Sequence, residues 1–424
     1  MIISTGTKTL QDQLYQKDLP LVREALELPV QVAILKGRAN YLCSYRLQLA
    51  RSELAGSHRD LVADVEEIVD WAGRTLSGDI AELNQISEDS RIWPLVTSTV
   101  DNCTGQHCSH YDSCYVVKAR REAQKADVLV VNHHLLMADM LLRDIGFGEL
   151  LPGAEAFIID EAHQLPEVAT VFFGETLSYR QLSELIRDME VEFINGQGKS
   201  IEFSKLAEKA RKAVNDFRLA LGRHFGKQIW DTLKNKPSVK KAFGSLQQIL
   251  EMLHDFFAEA AVNSKSLQHC VSRTDILLKR LQHICEHDQA QTVCWIDIQA
   301  SAFVWNLTPV DISQQFQNMI ADYDAAWVFT SATLAIGNGF DHFAKQLGLN
   351  ADAGKQFESP FNYQENALLY LPEIASEPNT EPYIQAIVDK ALPIINACNG
   401  GIFFLFTSYR ALNEAETIIR HRTH

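Results

Sequence analysis

The sequence predicts an α/β protein: a parallel sheet covered by helices on both faces, interrupted by a cysteine-bearing insertion and a helical one. Three observations point there. Short apolar runs of strand length recur along the chain, with helical stretches between them. Two of these runs end in polar side chains suited to chemistry, as strands of open parallel sheets do at their carboxyl ends. Finally, 424 residues with 46% hydrophobic and 22% charged side chains suffice for several cores and are ordinary for a globular chain.

Taken in order, Met1-Ile2-Ile3 reads as the end of a strand and residues 4–9 as a polar loop. Leu10, Leu14, Leu21 and Leu28 mark a helix over 9–27, interrupted near Pro20. Between 40 and 125, helical pieces, clearest at 60–71, surround a cysteine-rich loop. Residues 126–132 and 156–160 (Ala-Phe-Ile-Ile-Asp) read as short strands. Residues 178–287 read as helical with almost no strand signal, and 293–307 alternate like a β-hairpin. A buried strand is expected at 326–330, before the turn Ser331-Ala332-Thr333. A fully apolar strand is expected at 401–406, with a helix from Arg410.

Charge narrows the function classes. The net charge of −15 excludes a surface uniformly attractive to phosphate, but not a local basic channel. Residues 201–243 provide one, with eleven basic against four acidic side chains, a local excess of +7. The longest apolar runs fall far short of the roughly 20 residues of a membrane span. The start of the chain lacks the basic and apolar pattern of a signal peptide, so a cytoplasmic location is expected. Eight cysteines are too few for a disulfide scaffold in a chain of this size. Cys103, Cys108 and Cys114 crowd together with Cys43 upstream, whereas Cys270, Cys285, Cys294 and Cys398 read as ordinary structural cysteines.

Two segments carry candidate catalysis. Asp160-Glu161-Ala162-His163 ends the 156–160 strand, where a first carboxylate suits Mg²⁺ and a second suits an attacking water. Ser331-Ala332-Thr333 ends the 326–330 strand with small hydroxyl side chains. Asn132-His133-His134 looks like a metal site, but adjacent histidines at a strand end point to opposite faces. Tyr41, Tyr45, Trp93, Tyr111 and Tyr115 are able to stack on bases, yet core packing is the default reading for each.

The combination Asp160-Glu161-Ala162-His163 followed by Ser331-Ala332-Thr333 resembles motifs II and III of superfamily 2 helicases. Residues 4–11 (Ser-Thr-Gly-Thr-Lys-Thr-Leu-Gln) are similar to motif Ia, and 126–136 to a segment of the XPD-like iron–sulfur branch. Glu358-Ser359-Pro360-Phe361 and residues 403–410 fit the bacterial DinG/YoaA group of that branch, and the resemblance runs the length of the chain. It implies a RecA-like motor domain in three pieces (1–39, 126–177 and 291–375, the last with motif III and a linker). An iron–sulfur domain at 40–125 and a helical arch domain at 178–290 interrupt it, and a second, truncated motor domain starts at 376–424. It also implies an ATP-dependent 5′→3′ DNA helicase serving repair or replication, with single-stranded and forked DNA as partners and replication or repair proteins beside them. No membrane is involved, and the implied location is the bacterial cytoplasm, associated with the nucleoid. Asp160, Glu161 and His163 are then catalytic, Asp160 holding Mg²⁺, and Ser331 and Thr333 couple nucleotide state to motion. Thr5, Lys8 and Thr407 become candidate DNA-backbone contacts, and some of the basic side chains in 201–243 touch phosphate.

Within this resemblance Cys43, Cys103, Cys108 and Cys114 supply four thiolates, the usual number for a 4Fe–4S cluster. A zinc site, with His107 or His110 replacing one thiolate, is the alternative. What the chain does not contain matters equally. No Gly-x4-Gly-Lys-[Ser/Thr] phosphate loop precedes residue 4. Gly6-Thr7-Lys8-Thr9 lacks the Gly-Lys pair, and Gly196-Gln197-Gly198-Lys199-Ser200 has Phe193 where the first glycine belongs and follows Asp160 in the wrong order. The expectation is a fragment of a helicase that, alone, does not turn over ATP. The rival expectation is a non-catalytic iron–sulfur DNA-binding module.

Overall fold

The computed structural model describes the chain apart from residues 55–58, 88–89, 101, 145–149, 198–199, 261–264, 287–289, 338, 352–353, 376, 378–380, 399 and 423–424. The chain divides into two compact units, Met1–Gly354 and Lys355–His424. The described strands are β1 (Ile2–Thr5), β2 (Val32–Ile34), β3 (Val128–Asn132), β4 (Ala156–Ile159), β5 (Glu175–Ser178), β6 (Gly226–Ile229), β7 (Thr292–Ile298), β8 (Phe303–Pro309) and β9 (Ala326–Phe329).

The predicted parallel sheet is present, in the order β2-β3-β1-β4-β9 with every neighbouring pair parallel. Its register sets Thr5 beside Asn132 and Ser4 beside Ile159, so the carboxyl ends of β1, β3 and β4 lie side by side. Central strands buried on both faces read as continuous apolar runs, and β3 (Val-Leu-Val-Val-Asn) is buried throughout. Ile2, Leu129, Val131, Phe157 and Ile159 pack with Leu136, Met140, Leu165 and Phe316 from the covering helices.

Two expectations for this sheet change, and one strand was not anticipated. Residues 4–9 are not all loop: Ser4 and Thr5 complete β1 and are fully buried, and a helix starts at Lys8 with Thr7 as its cap. The run 326–330 is not a buried strand but the sheet edge, with Val328 exposed and Trp327 stacked on Phe157 at 4.2 Å. β2 gave no signal because it is only three half-buried residues long. The interruption near Pro20 takes the form of a widened turn, Leu14–Asp18, which accommodates a proline that cannot donate back along the helix.

The cysteine-bearing insertion has its own core, Leu42, Val65, Ile68, Trp71, Ile92, Trp93 and Val96, built on helices Ser44–Leu54 and Arg59–Ala72. Tyr41 and Trp93 are buried.

The helical insertion comprises helices Tyr179–Gln197, Ile201–Ala220, Pro237–Ala260 and Lys265–Glu286 packed on an antiparallel sheet, β5-β8-β7-β6. The reading of 178–287 as almost strand-free missed β6, which pairs with β7 from Gly226↔Ile298 to Ile229↔Trp295. The β7–β8 hairpin, grouped by sequence with 291–375, instead closes this lobe: Ile296, Phe303 and Trp305 are buried with Phe217 and Trp230. Only the distant β5 and β6 make that assignment visible.

The second unit has a small core of Ile384, Val388 and Ala415 from helices Glu381–Ala397 and Tyr409–Arg422. It begins at Lys355 rather than at 376. Residues 401–406 are not a strand. Phe404 and Phe406 pack on the core while Phe403 and Leu405 are 94% and 86% exposed. The alternation suits a strand, but no neighbouring strand among the described residues of this unit pairs its backbone.

Candidate functional site

Asp160 leaves the carboxyl end of β4, and its N–H donates to the Ser4 carbonyl at 2.7 Å. The Thr5 hydroxyl donates to Asp160 Oδ2 at 2.9 Å, and the Thr330 hydroxyl approaches Oδ1 at 3.4 Å. Side chains ending β1 and β9 thus hold this carboxylate from both sides. Thr5, expected at DNA, is fully buried with its hydroxyl turned to Asp160.

Glu161 has φ 52° and ψ 41°, the left-handed region that costs a side-chain-bearing residue about 1–2 kcal/mol. This bend lets the Ala162 N–H reach the Thr330 carbonyl at 2.9 Å. It also turns His163 toward the next strand end, where His163 Nδ1 and Ser331 Oγ are hydrogen-bonded at 2.8 Å. Glu161 Oε2 lies 3.3 Å from His163 Nδ1, and the Ser331 hydroxyl accepts from the Thr333 N–H at 3.2 Å. All five predicted residues, Asp160, Glu161, His163, Ser331 and Thr333, therefore meet in one cluster. Gly6 adjoins it: a Cβ there would run into the Gln164 side chain.

His133 is not on a strand end. It opens the helix His133–Asp144, which Asn132 caps by accepting from the Leu135 N–H at 2.8 Å. His133 is fully buried, with Nδ1 hydrogen-bonded to Ser4 Oγ at 2.8 Å. Burial pulls its pKa down to about 4, against the opposing pull of the Glu161 and Asp160 backbone and the Asp160 charge. Neutral His133 thus underlies the acidic pair. His134 packs against Phe172 instead, so the two histidines do not share a ligand. Gln11, which closes the motif Ia segment and to which the sequence assigns no role of its own, is buried and donates to the carbonyls of Leu35 and Val130 at 2.9 and 3.2 Å, joining β3 to the residue after β2.

Lys8 is exposed at the start of its helix, and Thr407 is exposed in the second unit. In the basic stretch, Arg218 is buried against the Gly222 and Gln299 carbonyls, Arg211 pairs with Glu190, and Lys234 with Asp231. Lys205, Lys209 and Lys212 remain exposed on one helix. Gly198 and Lys199 lie outside the described residues.

Cys43, Cys103, Cys108 and Cys114 are free thiols of intermediate burial. Burial raises the Cys43 pKa; the Arg46 N–H opposes this, and the nearby Cys103 and Cys108 charges add to it. Arg120, lowered by burial and by Arg38, feels opposing charge from Cys103 and Cys114. Soft thiols are the right donor type for an iron–sulfur or zinc group. Among the described residues, however, no three His, Cys, Asp or Glu side chains stand in a metal-gripping arrangement. Cys270 and Cys294 are buried as expected, but Cys285 and Cys398 are exposed.

Beside Cys43 lies a junction with no sequence signal. Buried Arg46 donates to both oxygens of Asp188 at 3.0 and 3.2 Å, Arg273 adds a contact at 2.7 Å, and the Tyr45 hydroxyl donates to Glu192 at 2.9 Å.

The geometry suits phosphate chemistry: an oriented carboxylate, a second carboxylate beside it, and a histidine joined to a distant segment. The chain is similar to known proteins along its length. The chain is 37% identical over 426 residues to "ATP-dependent DNA helicase YoaA" of Haemophilus influenzae, covering 100% of this chain and 66% of that protein. It is 38% identical over 416 residues to the protein of that name in Escherichia coli, covering 98% and 65%. It is 24% identical over 481 residues to "ATP-dependent DNA helicase DinG" of Photobacterium profundum, covering 99% and 67%. The chain spans just under two thirds of the length of the two YoaA proteins. No family model matches it.

Proposed function

Because the chain belongs to the YoaA/DinG family of ATP-dependent DNA helicases, we propose that it supplies the acidic half of a RecA-like ATPase site in a helicase moving 5′→3′ on single-stranded DNA. The observation that carries this reading is the 2.8 Å bond between His163 and Ser331, residues 168 apart in the chain. It joins the carboxylate turn to a second strand end, as coupling of nucleotide state to motion requires. Asp160 is the residue to hold Mg²⁺, its oxygens set by Thr5 and Thr330. The metal, when bound with ATP, neutralises charge developing on the phosphates. Glu161 orients water, and His163 passes the state of the site to Ser331 and Thr333. Lys8, Thr407 and the exposed lysines of helix Ile201–Ala220 are the proposed DNA contacts. Cys43, Cys103, Cys108 and Cys114 are the proposed holders of a 4Fe–4S cluster, with the helical insertion as the arch. Repair or replication of forked DNA at the nucleoid, beside other replication or repair proteins, completes the proposal.

The 424 residues contain no phosphate loop, so the chain alone is expected to release no phosphate from ATP with single-stranded DNA present. Measurable turnover refutes that part. A chimera in which this chain replaces the matching region of the Haemophilus influenzae relative tests the rest. It is expected to unwind 5′-tailed duplexes and not 3′-tailed ones, and the Asp160→Asn chimera is expected to do neither. DNA binding by the chimera without turnover favours the non-catalytic module.

A further inference from the structure

The helical insertion carries a surface feature that the ATPase reading does not use. Helices Pro237–Ala260 and Lys265–Glu286 flank a cleft of about 480 Å³, within the roughly 300–1,000 Å³ typical of formed pockets. Its floor is apolar: Leu281 is buried, and Phe243 and Leu278 are half-buried against the lobe's core. Its rim is acidic. Glu251, Asp275 and Glu286 are all exposed, and Lys279 is the lone base among the lining residues. Gln247 and Gln282 each donate at 3.1 Å to the carboxylate one turn on, Glu251 and Glu286.

The lining runs along one helix from Phe243 to Glu251, roughly 12 Å at 1.5 Å per residue. That accommodates two to three turns of a guest helix, whose anchors at i, i+3/i+4 and i+7 reach such a floor. Charge selects the guest. Among the lining residues three carboxylates stand against one ammonium, a balance that disfavours a phosphate backbone; exposed Lys240 and Lys241 begin the same helix outside the lining, and Lys205, Lys209 and Lys212 lie on another. We infer that this cleft docks a basic amphipathic helix of a partner protein, its apolar face on Phe243, Leu278 and Leu281 and its cations at Glu251, Asp275 and Glu286.

Cys285 lines the cleft and is exposed, and Cys398 is exposed in the second unit, which gives a reporter and an internal reference. The probe is a fluorescent 15-residue peptide with Leu at helical i, i+3/i+4, i+7 positions and Lys elsewhere. Controls are the same peptide with Glu for Lys, and a single-stranded oligonucleotide. The Lys peptide is expected to bind by anisotropy and to slow maleimide alkylation of Cys285 several-fold while leaving Cys398 unchanged. E251K/D275K/E286K, folded by circular dichroism, is expected to bind it at least about tenfold more weakly. The protection readout uses the unmodified chain, so it stands if that variant misfolds. Absent binding, equal binding of the Glu peptide, unprotected Cys285, affinity unchanged by charge reversal, or Cys285 protection by the oligonucleotide each overturns the inference.

Discussion

His133 beneath the acidic pair and Glu161 within it show how single residues trade stability for position. His133 is neutral in the fold, with its pKa pulled to about 4 chiefly by burial, whereas an unfolded imidazole titrates near 6.5. Above pH 6.5 neither state binds this proton and the contribution is complete. As the pH falls from 6.5 toward 4, the unfolded chain takes up a proton that the folded one refuses, and about 3 kcal/mol of stability is lost. Urea denaturation at stepped pH is expected to show this loss in the parent chain and a shallower slope in His133→Gln. Parallel slopes exclude the imidazole as the source. At Glu161 the left-handed backbone predicts that Glu161→Gly is about 1 kcal/mol more stable than Glu161→Ala, measured the same way. The histidine at 133 was visible in sequence, but its partner Ser4 was not, because only the parallel pairing of β1 with β3 brings them together.

Elements of this protein are tied by charges that no local pattern announces. Asp188 on helix Tyr179–Gln197 receives Arg46 from helix Ser44–Leu54 and Arg273 from helix Lys265–Glu286. Arg46 and Arg273 are 3% and 7% exposed. Removing one partner of a buried pair leaves the other uncompensated, a cost of about 3–5 kcal/mol. Asp188→Ala strands two guanidinium groups and is expected to lose that much. Arg46→Ala leaves Asp188 paired with Arg273 and is expected to lose less. Equal losses in urea melts defeat this account. The same principle of distant partners governs the strands. β6 and β2 are too short and too polar or too exposed to be read locally, and exist because a neighbouring strand completes their hydrogen bonds.

For the whole molecule, the cysteines pose the sharpest test. Purified without oxygen, the chain is expected to be brown and to contain iron, and Cys108→Ser to lose both. Hydrogen exchange is then expected to rise around Trp71 and Trp93 in the insertion's core while the core around Trp305 stays protected. Zinc in place of iron, read by metal analysis, reverses the choice of metal. By itself the sequence determined the α/β class, the apolar runs of β1, β3 and β4, the β7–β8 hairpin, and the two motif segments. Each is a local pattern, an apolar run of fixed period closed by a change of chemistry, and local patterns survive without knowledge of neighbours. Tertiary structure alone decided that β9 is an edge, that the hairpin belongs to the helical lobe, that Thr5 serves Asp160 instead of the surface, and that residues 401–406 remain unpaired among the described residues of their unit. The reason is physical. Burial and hydrogen-bond satisfaction belong to pairs of segments, and here the partners stand 155 positions apart at Thr5 and Asp160 and 168 apart at His163 and Ser331.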